Sequence, residues 1–170
     1  MFALINLLAV LLNPGFEAGQ LDRFYSPPNW LLYVIKAPAR GELSTDAHRG
    51  NFSYLIKTRE ISSPLAYSDF GKAFLQSDVF SVEAGKKYRL SLWVRGDGKA
   101  GMQILWWERY DEVATPCGHQ IDSSDLIPCK NEWQEISLEL SPPPKCKVAY
   151  IRLIAEEGNV YFDDVVLEVK

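Results

Sequence analysis

The sequence predicts an all-β protein, a two-sheet antiparallel β-sandwich of the jelly-roll kind, and three observations carry that prediction. Helical periodicity is nearly absent, and short runs of alternating apolar and polar residues replace it. Gly, Pro, Asn and Asp separate those runs, as turns between strands require. Acidic residues stand at both ends, Glu17 in Asn13-Pro14-Gly15-Phe16-Glu17 and the pair Asp163-Asp164 in the final apolar run. A closed antiparallel sandwich brings terminal strands side by side, so these carboxylates can meet.

Leu4 to Leu12 is apolar apart from Asn6 and reads as a first strand or as an atypical export signal, residues 1–12 in all. It is too short to span a bilayer, no Lys or Arg precedes it, and no small-x-small cleavage site follows. Residues 13–170 then form a single domain. Strands are expected over Phe52 to Thr58 and Ala73 to Phe80. Tyr88, Leu90, Leu92 and Val94 share one face of the next strand, with Arg89, Ser91, Trp93 and Arg95 on the other. Met102 to Trp107 follows a glycine-rich turn, and its consecutive tryptophans, Trp106 and Trp107, must point to opposite sides. If Met102, Ile104 and Trp106 face inward, then Gln103, Leu105 and Trp107 face outward. Tyr110 to Asn131 lacks clear periodicity and reads as a long loop. Gln134 to Leu140 alternates, the run Pro142 to Pro144 stops it, and Val148 to Ala155 sets Ala149, Ile151 and Leu153 against Tyr150 and Arg152. Val160 to Val169 closes the chain. That makes about eight strands, enough for two sheets.

Composition narrows the partners. The 170 residues, 47% hydrophobic and 24% charged, suit one soluble domain with a real core. A net charge of −4 with no dense basic stripe argues against a nucleic-acid or anionic-membrane partner. Aromatic residues make up 12%, including five Trp and eight Tyr, the side chains that stack on the apolar faces of sugar rings. Of the three cysteines, Cys117 and Cys129 bracket a polar segment and can close it by a disulfide in an oxidising compartment, which leaves Cys146 over; three reduced thiols are the alternative. Catalytic material is thin. Glu108, Asp111 and Glu112 cluster after the tryptophans, Glu135 and Glu139 lie on an exposed strand face, and there are two histidines. No phosphate loop, nucleophile elbow or H-E-x-x-H is present.

The N-P-G-F-E element, Trp30 after it, the segment Val82 to Arg95 and the terminal Val160 to Leu167 come in an order that resembles the β-sandwich carbohydrate-binding modules of the family 4, 9 and 22 type, galactose-binding-like jelly rolls. The resemblance runs from about Leu7 to Lys170. It implies a non-catalytic module of an extracellular or secreted protein that binds a polysaccharide in an aromatic-lined groove, of the kind that can accompany an appended catalytic domain. It also implies a structural calcium held by Glu17, the turn His48-Arg49-Gly50-Asn51 and Asp163, and packing roles for Trp30 and Trp133. Calcium takes six to eight oxygen ligands, which suits carboxylates and carbonyls. For the groove, the outward aromatics and donors Trp93, Arg95, Trp107, Tyr150 and Arg152 supply ring faces and planar hydrogen-bond donors, with Trp93 as the main platform. Two other readings stay open: a structural or adhesion domain whose outward aromatics are covered, and a small glycan hydrolase or lyase with paired carboxylates by the cleft.

Overall fold

The computed structural model describes residue 11 and residues 13–59, 71–109 and 115–170, and these form two antiparallel sheets packed face to face. The first sheet contains β1 (Trp30–Lys36), β4 (Lys72–Ser77), β5 (Phe80–Ser81), β7 (Lys99–Arg109), β8 (Thr115–Ser123), β9 (Ile127–Pro128) and β11 (Val148–Glu156). Its order is β1-β4-β11-β7-β8, with β5 beside β11 and β9 beside β7. The second has the order β10-β6-β12-β3-β2, from β2 (Arg40–Ser44), β3 (Ser53–Lys57), β6 (Tyr88–Gly96), β10 (Gln134–Leu140) and β12 (Asn159–Val169). No helix occurs among the described residues. The sandwich expected from the alternating runs is the fold.

The alternation explains why these strands form. Tyr88, Leu90, Leu92 and Val94 of β6 face inward and meet Ala149, Ile151 and Leu153 of β11 and Met102, Ile104 and Trp106 of β7 in one core. Trp106 is fully buried, which settles the tryptophan pair: Trp106 is core and Trp107 faces out. Phe16 of the N-P-G-F-E element plugs one end of this core against Trp30 and Tyr54, with ring centroids 5.6 Å from each. Trp30 is therefore a packing residue, and its Nε1–H donates to the Asn13 carbonyl at 3.2 Å.

Chain ends meet as expected where they are described. The Val165 amide donates to the Pro14 carbonyl at 3.1 Å, which sets the N-P-G-F-E element against β12. Residues 1–10 and 12, where a first strand or export signal is expected, lie outside the described residues. In β12 a bulge falls between Asp163 and Val166, with Asp164 at φ 46°. One extra residue flips the parity of a strand. Hence Val160 and Phe162 point inward before the bulge, and Val165 and Leu167 after it.

Two expectations need correction. The region read as a loop contains β8, which pairs with β7 through Gln103↔Ser123 and Leu105↔Ile121. Pro116 lies within β8, which is tolerated because β8 is an edge strand. The disulfide joins Cys117 to Cys146, with Cα atoms 5.7 Å apart, and leaves Cys129 free. Cys117 leaves for Cys146 because β7 sits between β8 and β11, so the turn before β11 comes back beside β8. Burial, with Asp97 adding to it, pushes the Cys129 thiol up to about 12, so it stays protonated and unreactive.

Candidate functional site

The outer face of the first sheet carries an aromatic strip with a guanidinium at its centre. Adjacent strands β4, β11 and β7 place Gln76, Arg152 and Gln103 in one cross-strand row, and Leu31 of β1 and Ser123 of β8 extend it. On one side of the row, Tyr150 lies beside Leu105, and its ring stacks near-parallel to Trp107 at 6.4 Å between centroids. On the other side Tyr33 and Phe74 stack at 4.9 Å. Arg152 lies over the rings of Phe74, at 4.4 Å, and Tyr150, at 5.3 Å. Its Nε–H donates to Gln76 Oε1 at 3.0 Å and an Nη2–H donates to the Tyr150 hydroxyl at 3.3 Å. Tyr150, 4% exposed, forms the floor, while Tyr33 is 39% exposed and stands open. Such a surface offers flat apolar rings flanked by fixed planar donors.

Trp107, Tyr150 and Arg152 are thus brought together as expected, whereas Trp93 and Arg95 are not with them. They are on β6, in the second sheet, so their outward side chains open on the opposite face of the sandwich. The His48 ring covers Trp93 at 3.8 Å and 12°, so that face of the indole is not a free platform. Arg95 is held by both oxygens of Asp46 and lies over Trp133, at 5.8 Å, and Tyr161, at 5.3 Å. Trp133, expected in the core, is half-buried on this outer face, because it precedes β10 and folds over Arg95 and Tyr161 instead of entering the sandwich. Strand parity predicted that Trp93, Arg95, Tyr150 and Arg152 face outward, but sheet membership divided one expected groove into two faces.

The residues expected to hold a cation gather around Gly15. A methyl group there would lie 3.6 Å from Asp163 Oδ1, 3.7 Å from Asp164 Oδ1 and 3.8 Å from Glu17 Cγ. The turn His48-Arg49-Gly50-Asn51 closes over them. His48 and Arg49 donate backbone N–H groups to Asp163 Oδ2 at 2.7 and 3.2 Å, and Asn51 and Phe52 donate theirs to Glu17 at 3.0 Å. Gly50, at φ 70°, is needed for this approach, since a Cβ there would come within 2.4 Å of Glu17 Oε1. Asp163 is completely buried, and burial raises its carboxyl above the usual range despite the lowering hydrogen bonds from Arg49, Asp164 and His48. For Glu17 burial also pushes upward, but the Phe52 and Asn51 donors outweigh it and hold the carboxyl low. Facing the three carboxylates are Arg49, 3.8 Å from Asp164, and His48, whose Nδ1 is 2.7 Å from it. Carboxylates are the hard oxygen donors that a cation such as calcium takes, and here their oxygens accept backbone N–H groups of the turn. No three Asp, Glu, His or Cys side chains among the described residues stand close enough to hold a metal ion.

The fold has counterparts among solved structures. TmCBM61, solved with β-1,4-galactotriose, matches at 16% identity and a TM-score of 0.61, over 95% of this chain and 99% of that one. The C-terminal family 22 carbohydrate-binding module of Clostridium thermocellum Xyn10B matches at 19% identity and a TM-score of 0.53, over 92% and 90%. The fold is the one these carbohydrate-binding modules share. The enzymatically active domain of tailspike protein 4 from bacteriophage CBA120 also has it, at 15% identity and a TM-score of 0.73, and this chain spans 96% of its own length but 22% of the tailspike. No protein-family profile and no curated protein sequence matches the chain.

Sequence reading missed Tyr33, Phe74, Gln76 and Gln103. Phe74 and Gln76 were open to detection, because Lys72, Phe74 and Gln76 alternate with Ala73, Leu75 and Ser77. Tyr33 was not, since Trp30 to Ile35 is an unbroken apolar run with no period.

Proposed function

We propose that this chain is a non-catalytic module that binds a polysaccharide along the outer face of its first sheet. The observation that carries this reading is the strip itself: two stacked ring pairs, Trp107–Tyr150 and Tyr33–Phe74, flank a row of planar donors on three adjacent strands. Sugar rings present C–H faces that stack on aromatics and hydroxyl rims that pair with amides and guanidinium. Carbohydrate-binding modules of the same fold, TmCBM61 with its galactotriose among them, support it. The Cys117–Cys146 disulfide supports an extracellular or secreted location. Two of the carboxylates considered for catalysis argue the same way. Glu135 is paired with Arg89 and Glu139 approaches Lys170, both on β10 in the other sheet. Similar folds form 26% of an arabinofuranosidase chain and 29% of a xylanase chain, which supports an accessory role beside a catalytic domain.

Trp107→Ala tests the reading. Removing a stacked aromatic costs on the order of 2 kcal/mol, so the affinity for the best ligand of a glycan panel should fall at least tenfold by calorimetry. Trp93→Ala, on the opposite face, should leave that affinity within about twofold, as expected of a residue outside the hot spot. If Trp93→Ala abolishes binding and Trp107→Ala does not, the ligand lies on the second sheet.

The same reading includes one structural calcium at Glu17, Asp163 and the Gly50 turn. The ion would neutralise the carboxylates around Gly15 and tie the N-P-G-F-E element to β12. A ligand bound only by the native state stabilises it by mass action. Melting temperatures in excess calcium and in chelator should differ by several degrees, and Glu17→Gln should shrink the difference. Identical melts in the two solutions reject the ion.

A further inference from the structure

We propose that the strip selects an anionic glycan, a polyuronate, and that Arg152 reads its carboxylate. This rests on the strip being the glycan site. Arg152 differs from four other arginines of the described residues in its partners. Arg40, Arg49, Arg89 and Arg95 each face a carboxylate, of Glu42, Asp164, Glu135 and Asp46 respectively. Arg152 has neutral ones: the Gln76 amide oxygen, the Tyr150 hydroxyl, and the ring faces of Phe74 and Tyr150. Nor do the described residues around it supply a counter-charge at a distance. Its cross-strand neighbours are Gln76 and Gln103, and the next outward positions along β11 are Tyr150 and Ile154. At the end of the strip Glu156 is matched by Lys72, and Glu157 by Lys99. Among the described residues, the centre of the face therefore carries one positive charge, half-buried and without a carboxylate beside it.

That charge is also held in place. Arg152 is mid-strand in β11, its guanidinium lies over two rings, and Gln76 orients it through Nε. A guanidinium has five N–H donors in a rigid fork. Two are engaged here, so three remain for a ligand. Carboxylate is the group that matches such a fork with two parallel hydrogen bonds, and partial desolvation strengthens the pairing. A sugar ring stacked on Trp107, or on the exposed Tyr33, would bring its substituents over Arg152, where a uronic acid presents its carboxylate. A neutral chain would leave the charge unmatched.

Calorimetry on the intact chain tests this with β-1,4-polyglucuronate, polymannuronate and polygalacturonate, each beside its carboxyl-reduced neutral form, and with a sulfated β-glucan. At least one polyuronate should bind about tenfold or more tightly than its reduced form, as a charge-assisted hydrogen bond implies. The preference should shrink as sodium chloride is raised. In Arg152→Gln the two forms should bind alike, and Arg152→Lys should keep part of the preference. Equal binding of acid and reduced forms by the unmodified chain overturns charge selection and leaves the glycan reading standing. Binding of the sulfated glucan alone overturns the carboxylate. A preference that survives in folded Arg152→Gln overturns the role of Arg152. If Arg152→Gln does not fold, the unmodified chain and Arg152→Lys decide. Binding of no glycan, acidic or neutral, overturns the glycan reading and this inference with it.

Discussion

Replacing Cys117 and Cys146 together by serine is expected to lower the stability of the domain by about 3–4 kcal/mol, the loop-closure value for a cross-link spanning 29 residues. For a domain of this size that is a fall in melting temperature of roughly 6–16 °C. Geometry makes the loss more than a matter of chain entropy. The bond bridges β8 to the turn before β11, and β7 runs between them. Trp107 pairs with Pro116 on one side and with Val148 on the other, and its carbonyl accepts the Lys147 amide at 3.0 Å. The cross-link thus anchors the end of the strip where Trp107 stands. Glycan affinity should weaken along with stability, whereas Cys129→Ser, at a free and half-buried thiol, should change each far less. Differential scanning calorimetry of the two variants beside the parent chain measures the effect. Equal melting temperatures for the double variant and the parent would show that the bond does not form.

The cysteine pairing illustrates what a sequence does and does not reveal. Cys117 and Cys129 are close in the chain and bracket a turn-like segment, so local reasoning favours them. Pairing with Cys146 is decided by strand order, which depends on contacts between segments distant in sequence. The same limit separated Trp93 from Trp107. Trp93 was placed on the outward face of its strand and Trp107 on the side opposite Trp106, since side-chain direction is a local property of period two. Whether two outward faces look the same way depends on which sheet each strand joins, and alternation is silent about that. In contrast, the chain-end carboxylates were readable, because terminal strands of a sandwich have few places to go. Glu17, Gly50 and Asp163 come together with Gly15 between the carboxylates, and the bulge that buries Asp163 is marked by the adjacent acid Asp164. The second half of the strip escaped for a different reason. Tyr33 is in an edge strand whose apolar run has no alternation to read, and β8 is interrupted by Pro116 and Gly118.

Gly96→Ala should be a severely damaging addition of a single methyl group. Gly96 ends β6 at φ 145°, a backbone conformation that costs a residue with a Cβ about 1–3 kcal/mol. Space is lacking as well. An added Cβ would fall 1.9 Å from the Asn159 carbonyl oxygen. That oxygen is the acceptor for two amides of the β6–β7 turn, Asp97 at 3.1 Å and Gly98 at 3.3 Å, and the Asp97 carboxylate returns a bond to the Asn159 amide at 2.6 Å. The methyl would therefore press on the clasp between the β6–β7 turn and the start of β12. Backbone has little room to yield, because the Gly96 amide is itself bonded to the Lys130 carbonyl at 2.9 Å and Gly96 pairs with Val160. Strain and overpacking together predict a loss of about 3–5 kcal/mol. Gly85→Ala is the control, with a positive φ of 83° and no atom within 4 Å of an added Cβ. It should lose about 1 kcal/mol, the cost of conformation without a clash. Urea unfolding of the two variants separates the effects. Similar midpoints would mean that the clasp relaxes freely and that Gly96 is needed for its φ alone.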